Sequence, residues 1–159
     1  TGPGLASCRR RPLSSNVRPH KKAYAALRSF KIPDSIHALI SAHWRLANER
    51  KWEEFATLLH PDLKYEVPQT REFISSGEGY LDMFQTWPGD WKAEVQHLVC
   101  EEAKAISIIE FKVGNEFMTG ITVFSVAQGK IAAVTDYWPE PYEPPQRVSS
   151  FLKRRASEA

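Results

Sequence analysis

Long apolar runs, cysteines and glycine-rich motifs are all scarce in this chain, and each shortage removes a class of protein. No stretch approaches about 18 consecutive apolar residues, so nothing reads as a membrane-spanning helix. The arginines near the N-terminus are followed by no apolar segment, which speaks against a secretory signal. Cys8 and Cys100 are too far apart for a metal-spacing motif, and two unpaired thiols fit a reducing cytoplasm. His20, His37, His43, His60 and His97 show no ligand spacing with Cys or Asp, so no metal is expected. Neither Gly-x-Gly-x-x-Gly nor a phosphate loop occurs, and no serine lies in a nucleophile-elbow context. No cofactor is expected.

Charge is present but unevenly placed. The net charge of +2 divides into +8 over residues 1–31, −9 over 32–145 and +3 over 146–159. Blocks of like charge with few large apolar residues read as solvated tails. Arg9–Arg11 with Lys21 and Lys22 could neutralise phosphates. The tail has one aromatic before Phe30, however, and the acidic middle would repel a polyanion, which argues against nucleic acid as partner. The reading is a basic N-terminal extension (1–31), one domain (32–145) and a basic C-terminal tail (146–159). A length of 159 residues suffices to bury a core without staples.

The domain opens at Pro33-Asp34-Ser35, a helix start, after which Ile36, Leu39, Ile40, His43, Trp44 and Ala47 recur at helical spacing. A second helix is expected from Lys51 to Leu59, stopped by His60-Pro61-Asp62. Leu63–Val67 alternates as a strand, Glu72–Ile74 reads as a short one, and Tyr80–Thr86 as a third helix closed by Pro88-Gly89. Four strands follow: Trp91–Cys100, with Trp91, Ala93, Val95, His97 and Val99 on one face, then Ala105–Val113, Glu116–Val126 and Lys130–Trp138. Helices first and a meander after predict an α+β fold, its largely antiparallel sheet covered on one face. The Pro139–Pro145 segment is expected to wrap the domain and hold Tyr142 down.

That order, with Gly129–Pro139 closing on Asp136, Tyr137 and Trp138, Trp52–Asp62 on the second helix and Ser76-Gly77 before the third, resembles the nuclear transport factor 2-like superfamily, in its SnoaL-like group. The resemblance spans roughly residues 34–145. It implies a cone-shaped, strongly curved antiparallel (mixed) sheet wrapped by three N-terminal helices around an apolar pocket. It further implies a homodimer formed through the sheet, and a function among cyclases, isomerases, dehydratases, epoxide hydrolases and plain binders.

Strand alternation puts Val134, Asp136 and Trp138 on one face, and the resemblance implies that this face lines the cavity. Asp136 would then be a desolvated acid–base group; otherwise it is a rim carboxylate. His43 shares the apolar helix face and falls where the resembled ketosteroid isomerase pattern has an oxyanion-hole tyrosine. It is a catalytic candidate, as a donor to a substrate oxygen or a proton shuttle with Asp136, or else a satisfied core histidine. By the same resemblance Thr122 stands for that enzyme's second donor, and Val67 for its general base. Valine moves no protons, which argues against that enzyme's own mechanism. Tyr65 points inward, to orient substrate or simply to pack. Glu110 follows Ile106 and Ile108 on one strand face, lining the pocket or turning outward. Met83 and Trp87 read as an apolar wall. The expectation is acid–base catalysis of the isomerase, cyclase or hydratase type on a small apolar oxygen-bearing molecule, with a non-catalytic binder or a dimeric scaffold as alternatives.

Overall fold

The computed structural model describes residues 35–155. The expectations for residues 1–31 and for the last four positions fall outside the described residues. Ser35 caps α1 (Ile36–Asn48): its Oγ accepts the Ala38 amide at 3.1 Å, satisfying one of the helix's free donors. The helix buries Leu39, Ile40, Ala42, His43, Trp44, Leu46 and Ala47 on the face the spacing predicted. A tight turn through Arg50, with φ of 58°, leads to the short α2 (Trp52–Thr57).

Strand β1 (Leu59–Val67) starts earlier than expected. His60-Pro61-Asp62 does not separate helix from strand but lies within β1. Leu59 already pairs with Ile131, and the register shifts between Leu59 and Lys64. Proline tolerates such an irregularity because no ladder amide is needed there. After β2 (Glu72–Ile74), α3 (Gly77–Thr86) begins three residues before the expected Tyr80. Ser76 caps it, accepting the Gly79 amide at 3.0 Å. The remaining strands are β3 (Trp91–Glu101), β4 (Lys104–Val113), β5 (Glu116–Ala127) and β6 (Lys130–Tyr137).

The six strands form one sheet in the order β2-β1-β6-β5-β4-β3. All neighbours are antiparallel except β1 and β6, which run parallel and bring the first strand beside the last. The sheet is therefore mixed, and Tyr65 of β1 pairs with Val134 of β6 while Thr122 of β5 faces Asp136 directly. Asn48 ties α1 to β3: its amide donates to the Ala93 carbonyl at 2.7 Å and its oxygen accepts the Ala93 amide at 2.9 Å. The fold class is α+β, as the sequence predicted.

Two local expectations change. On β3 the single-face reading fails because Val95 pairs with Ile109 and His97 with Ile108, leaving Gln96 as an extra residue. A one-residue bulge exchanges the faces beyond it. Trp91 and Ala93 are buried, whereas Val99 is 66% exposed. Tyr142 is not held down by the proline-rich segment, for it is 77% exposed. No helix among the described residues is long and apolar enough to cross a membrane.

Gly77 sits where α3 crosses β1, and a Cβ there would stand 2.6 Å from the His60 carbonyl oxygen. Backbone cannot swing aside as a side chain can. Gly77→Ala is therefore expected to lose about 2 kcal/mol of stability, measurable as a lower urea midpoint with an unchanged slope.

Candidate active site around Asp136

Asp136 is carried inward by the alternation of β6 and is only 7% exposed. Burial among apolar side chains disfavours its charged form and raises its pKa from 3.8 to about 6. The Thr122 and Tyr65 hydroxyls flank the carboxyl and pull the other way, but Oδ1 is left without any hydrogen-bond partner. Near neutrality such a group exists in both protonation states. It can give a proton or take one.

The carboxyl opens onto a small inner cavity of about 20 Å³, lined also by Trp44, Tyr65, Trp87, Trp91, Phe111 and Trp138 among others. That is room for about one water-sized group. Beyond it lies an open vestibule of about 630 Å³, bounded by residues that include Val67, Arg71, Phe73, Met118 and Glu140. A space of this size suits a small organic molecule. Tyr65, Met83, Trp87 and Trp138 line both spaces. Phe111 is the shared support of the indoles: its ring centroid lies 5.7 Å from Trp87, and 5.5 Å from both Trp91 and Trp138.

The residues singled out from sequence thus separate into groups. Asp136, Tyr65, Trp138, Met83 and Trp87 meet at the inner cavity, and Thr122 stands beside the carboxyl as its cross-strand partner. Glu110 does not join them. It is exposed, because β4 turns Ala105, Ser107, Ile109 and Phe111 inward and Ile106 and Glu110 outward.

His43 lies apart too. It is fully buried between Trp44, Phe55, Phe84 and Phe124, with ring centroids 4.6 to 5.5 Å away. It lines neither the inner cavity nor the vestibule. Its Nε2 shares a 3.0 Å hydrogen bond with the Tyr80 hydroxyl, Nδ1 has no partner, and burial lowers its pKa to about 3. The imidazole is neutral at physiological pH, and the Tyr80 that it meets has its ring 5.3 Å from that of Tyr65. Burial pushes both phenols up, so they stay protonated and can act as donors.

Sequence reasoning missed Trp91 and Phe111 as parts of the site, and Tyr80 as the partner of His43. Phe111 was within reach, since placing Glu110 outward puts Ile109 and Phe111 inward by alternation. Tyr80 carries no comparable signal; the start of α3 alone does not reveal which residue reaches His43.

The geometry can be set beside known proteins. A family model described as SnoaL-like domain matches residues 40–134. A "putative ketosteroid isomerase" from Kribbella flavida DSM 17836 is 38% identical over 76% of this chain and 90% of its own, with a TM-score of 0.70. An NTF-2 like protein of unknown function from Burkholderia xenovorans LB400 is 19% identical over 76% of this chain and 95% of its own, with a TM-score of 0.63. An LEH-like epoxide hydrolase of M. tuberculosis is 16% identical over 64% of this chain and 80% of its own, at 0.55, a likeness of fold. No curated protein matches the chain.

Proposed function

We propose that this chain, which belongs to the SnoaL-like domain family, is an acid–base enzyme acting on a small apolar molecule that carries a carbonyl, hydroxyl or epoxide oxygen. The observation that supports this most is the Asp136 carboxyl, buried at the inner cavity with Oδ1 unpartnered and a pKa of about 6. General acid–base catalysis works best when the group's pKa lies near the operating pH. An ordinary surface aspartate could not hold a proton there.

In this reading the ligand's body rests in the vestibule and its oxygen reaches the inner cavity. Tyr65 and Thr122 flank the carboxyl and orient that oxygen or the proton. Asp136 takes a proton from the carbon or water that reacts, or gives one to the oxygen, as an isomerase, cyclase or hydratase requires. His43 has no direct part. The kinship with a protein described as a putative ketosteroid isomerase supports the reaction class. The resemblance to the ketosteroid isomerase pattern puts Val67 where that pattern has its general base, which argues against the same steps here. Val67 is buried and borders the vestibule here.

A second reading is a binder without turnover. The inner cavity admits only one water-sized group, so a ligand could occupy the vestibule and never touch Asp136. The homodimer implied by the resemblance stays a proposal; Val99, Ile106 and Tyr137, exposed on the sheet, would meet a second copy.

A thermal-shift screen of apolar ketones, epoxides and phenols at about pH 5 and about pH 8 separates the two, because a ligand of the folded state raises Tm by mass action. Catalysis at Asp136 predicts hits whose strength depends on pH and loses that dependence in Asp136→Asn. Hits indifferent to both pH and the substitution would leave the binder.

A further inference from the structure

We propose that Trp87 and Trp138 are specificity-determining residues, a gate that passes a narrow oxygen-bearing end toward Asp136 and turns back a compact polycyclic one. The inference rests on the reading of Asp136 as the group a ligand must reach. The vestibule of about 630 Å³ and the inner cavity of about 20 Å³ share four lining residues, Tyr65, Met83, Trp87 and Trp138, which places these side chains where the two spaces adjoin. Tyr65 is fixed within β1 and beside the carboxyl, and Met83 is a flexible thioether that yields to a ligand. The two indoles are the bulk of the barrier.

Both stand where regular structure ends. Trp87 caps α3 with extended backbone (φ −57°, ψ 127°), and Pro88 and Gly89, with φ of 81°, follow it. Trp138 comes directly after the last residue of β6 and before Pro139. Its carbonyl accepts the Gln69 side-chain amide at 3.1 Å, which steadies the backbone. Each indole meets Phe111 near edge-on, at 78° and 75°. Gly120 provides the slot for Trp138, since a Cβ there would stand 3.1 Å from Cζ3. The two indoles thus share Phe111 as an aromatic support and line both spaces. A ligand with a slender terminus, such as a linear methyl ketone, can bring one oxygen past them while its body stays outside. A cage ketone cannot.

The test needs no natural ligand. The Asp136 carboxyl is titrated by carbon-13 NMR in wild type, Trp87→Ala and Trp138→Ala, and binding of 2-nonanone and 2-adamantanone is measured by calorimetry. Opening the gate lets vestibule water reach the carboxyl, so its midpoint should fall by about one pH unit or more. Affinity for 2-adamantanone should rise roughly tenfold while that for 2-nonanone changes far less. Should either alanine variant fail to fold, Trp87→Leu and Trp138→Leu keep the apolar contact with Phe111 and carry the same test. An unchanged midpoint in folded variants overturns the gate, as does an equal change for both ketones. A lowered midpoint with neither ketone bound by any variant supports the gate and counts against the ketone substrate instead.

Discussion

Asp136→Asn is expected to melt well above the wild type at about pH 8 and close to it at about pH 4, so that the gain grows with pH. The sign follows from the direction of the pKa shift. The unfolded carboxyl has a pKa of 3.8 and the folded one about 6, so the folded protein holds the proton more tightly. The stability this contributes is complete below 3.8 and is lost as pH rises through about 6. Above that the ionised group must be kept in an apolar site. A shift of roughly two units corresponds to about 3 kcal/mol, or of the order of 10 °C in Tm for a domain of this size. Asparagine has no charge to bury. Its amide can meet the Tyr65 and Thr122 oxygens, and whatever it gains or loses in those contacts is the same at every pH. The difference between the two pH values is therefore the diagnostic quantity, followed by calorimetry or by fluorescence of the tryptophans. A gain independent of pH would mean that Asp136 titrates normally, and the acid–base reading would lose its support. The same burial that destabilises the fold tunes the group for proton transfer, a conflict expected where a site is built into a core.

The sequence made the fold legible because helices and meander have different periods. The apolar spacing on α1 and the alternation of Val134, Asp136 and Trp138 along β6 each define a face, and Leu39, Ile40, His43, Val134 and Asp136 are buried accordingly. By contrast, β4 carries apolar residues on both faces and left that of Glu110 open. What escaped was long-range or local in register. The parallel pairing of β1 with β6 is set by where the chain returns, which no local pattern encodes. The bulge at Gln96 exchanges faces through one unpaired residue, and nothing in Trp91–Cys100 distinguishes that from clean alternation. Alternation made Asp136 legible as sharing a face with Val134 and Trp138, and the family resemblance, not the local pattern, pointed that face inward. His43 was legible as buried, and both of its readings required that. Its lack of any opening toward the cavity depends on Phe55, Phe84 and Phe124 closing around it from three other elements. The nearly filled inner cavity was equally beyond reach, because side-chain packing among Trp87, Trp91, Phe111 and Trp138 decides it.

The second large effect concerns His43 and Tyr80. The double variant His43→Phe/Tyr80→Phe is expected to match the wild type near pH 7 and to exceed it by about 3 kcal/mol near pH 4. The folded imidazole has a pKa of about 3 and the unfolded one 6.5. Its contribution to stability is intact above 6.5 and is lost as pH falls toward 3, since only the unfolded chain takes up the proton. The full loss amounts to about 5 kcal/mol. Either single replacement should cost about 1 to 3 kcal/mol near pH 7, because it leaves a buried partner of the 3.0 Å bond unsatisfied. Replacing both by apolar rings of similar shape removes the orphan and the titration together. Urea denaturation of the four proteins at both pH values yields the coupling directly as a double-mutant cycle. Asp136 and His43 tilt the wild-type stability in opposite directions between about pH 4 and about pH 6, with slopes that nearly cancel. The wild type should thus look insensitive to acid over that range. Asp136→Asn should expose the histidine's slope, losing stability as pH falls, and the double variant should expose the carboxyl's, gaining it. A double variant that tracks the wild type at every pH would mean that His43 takes up its proton in the folded state, and its sealed aromatic cage would have to open to water.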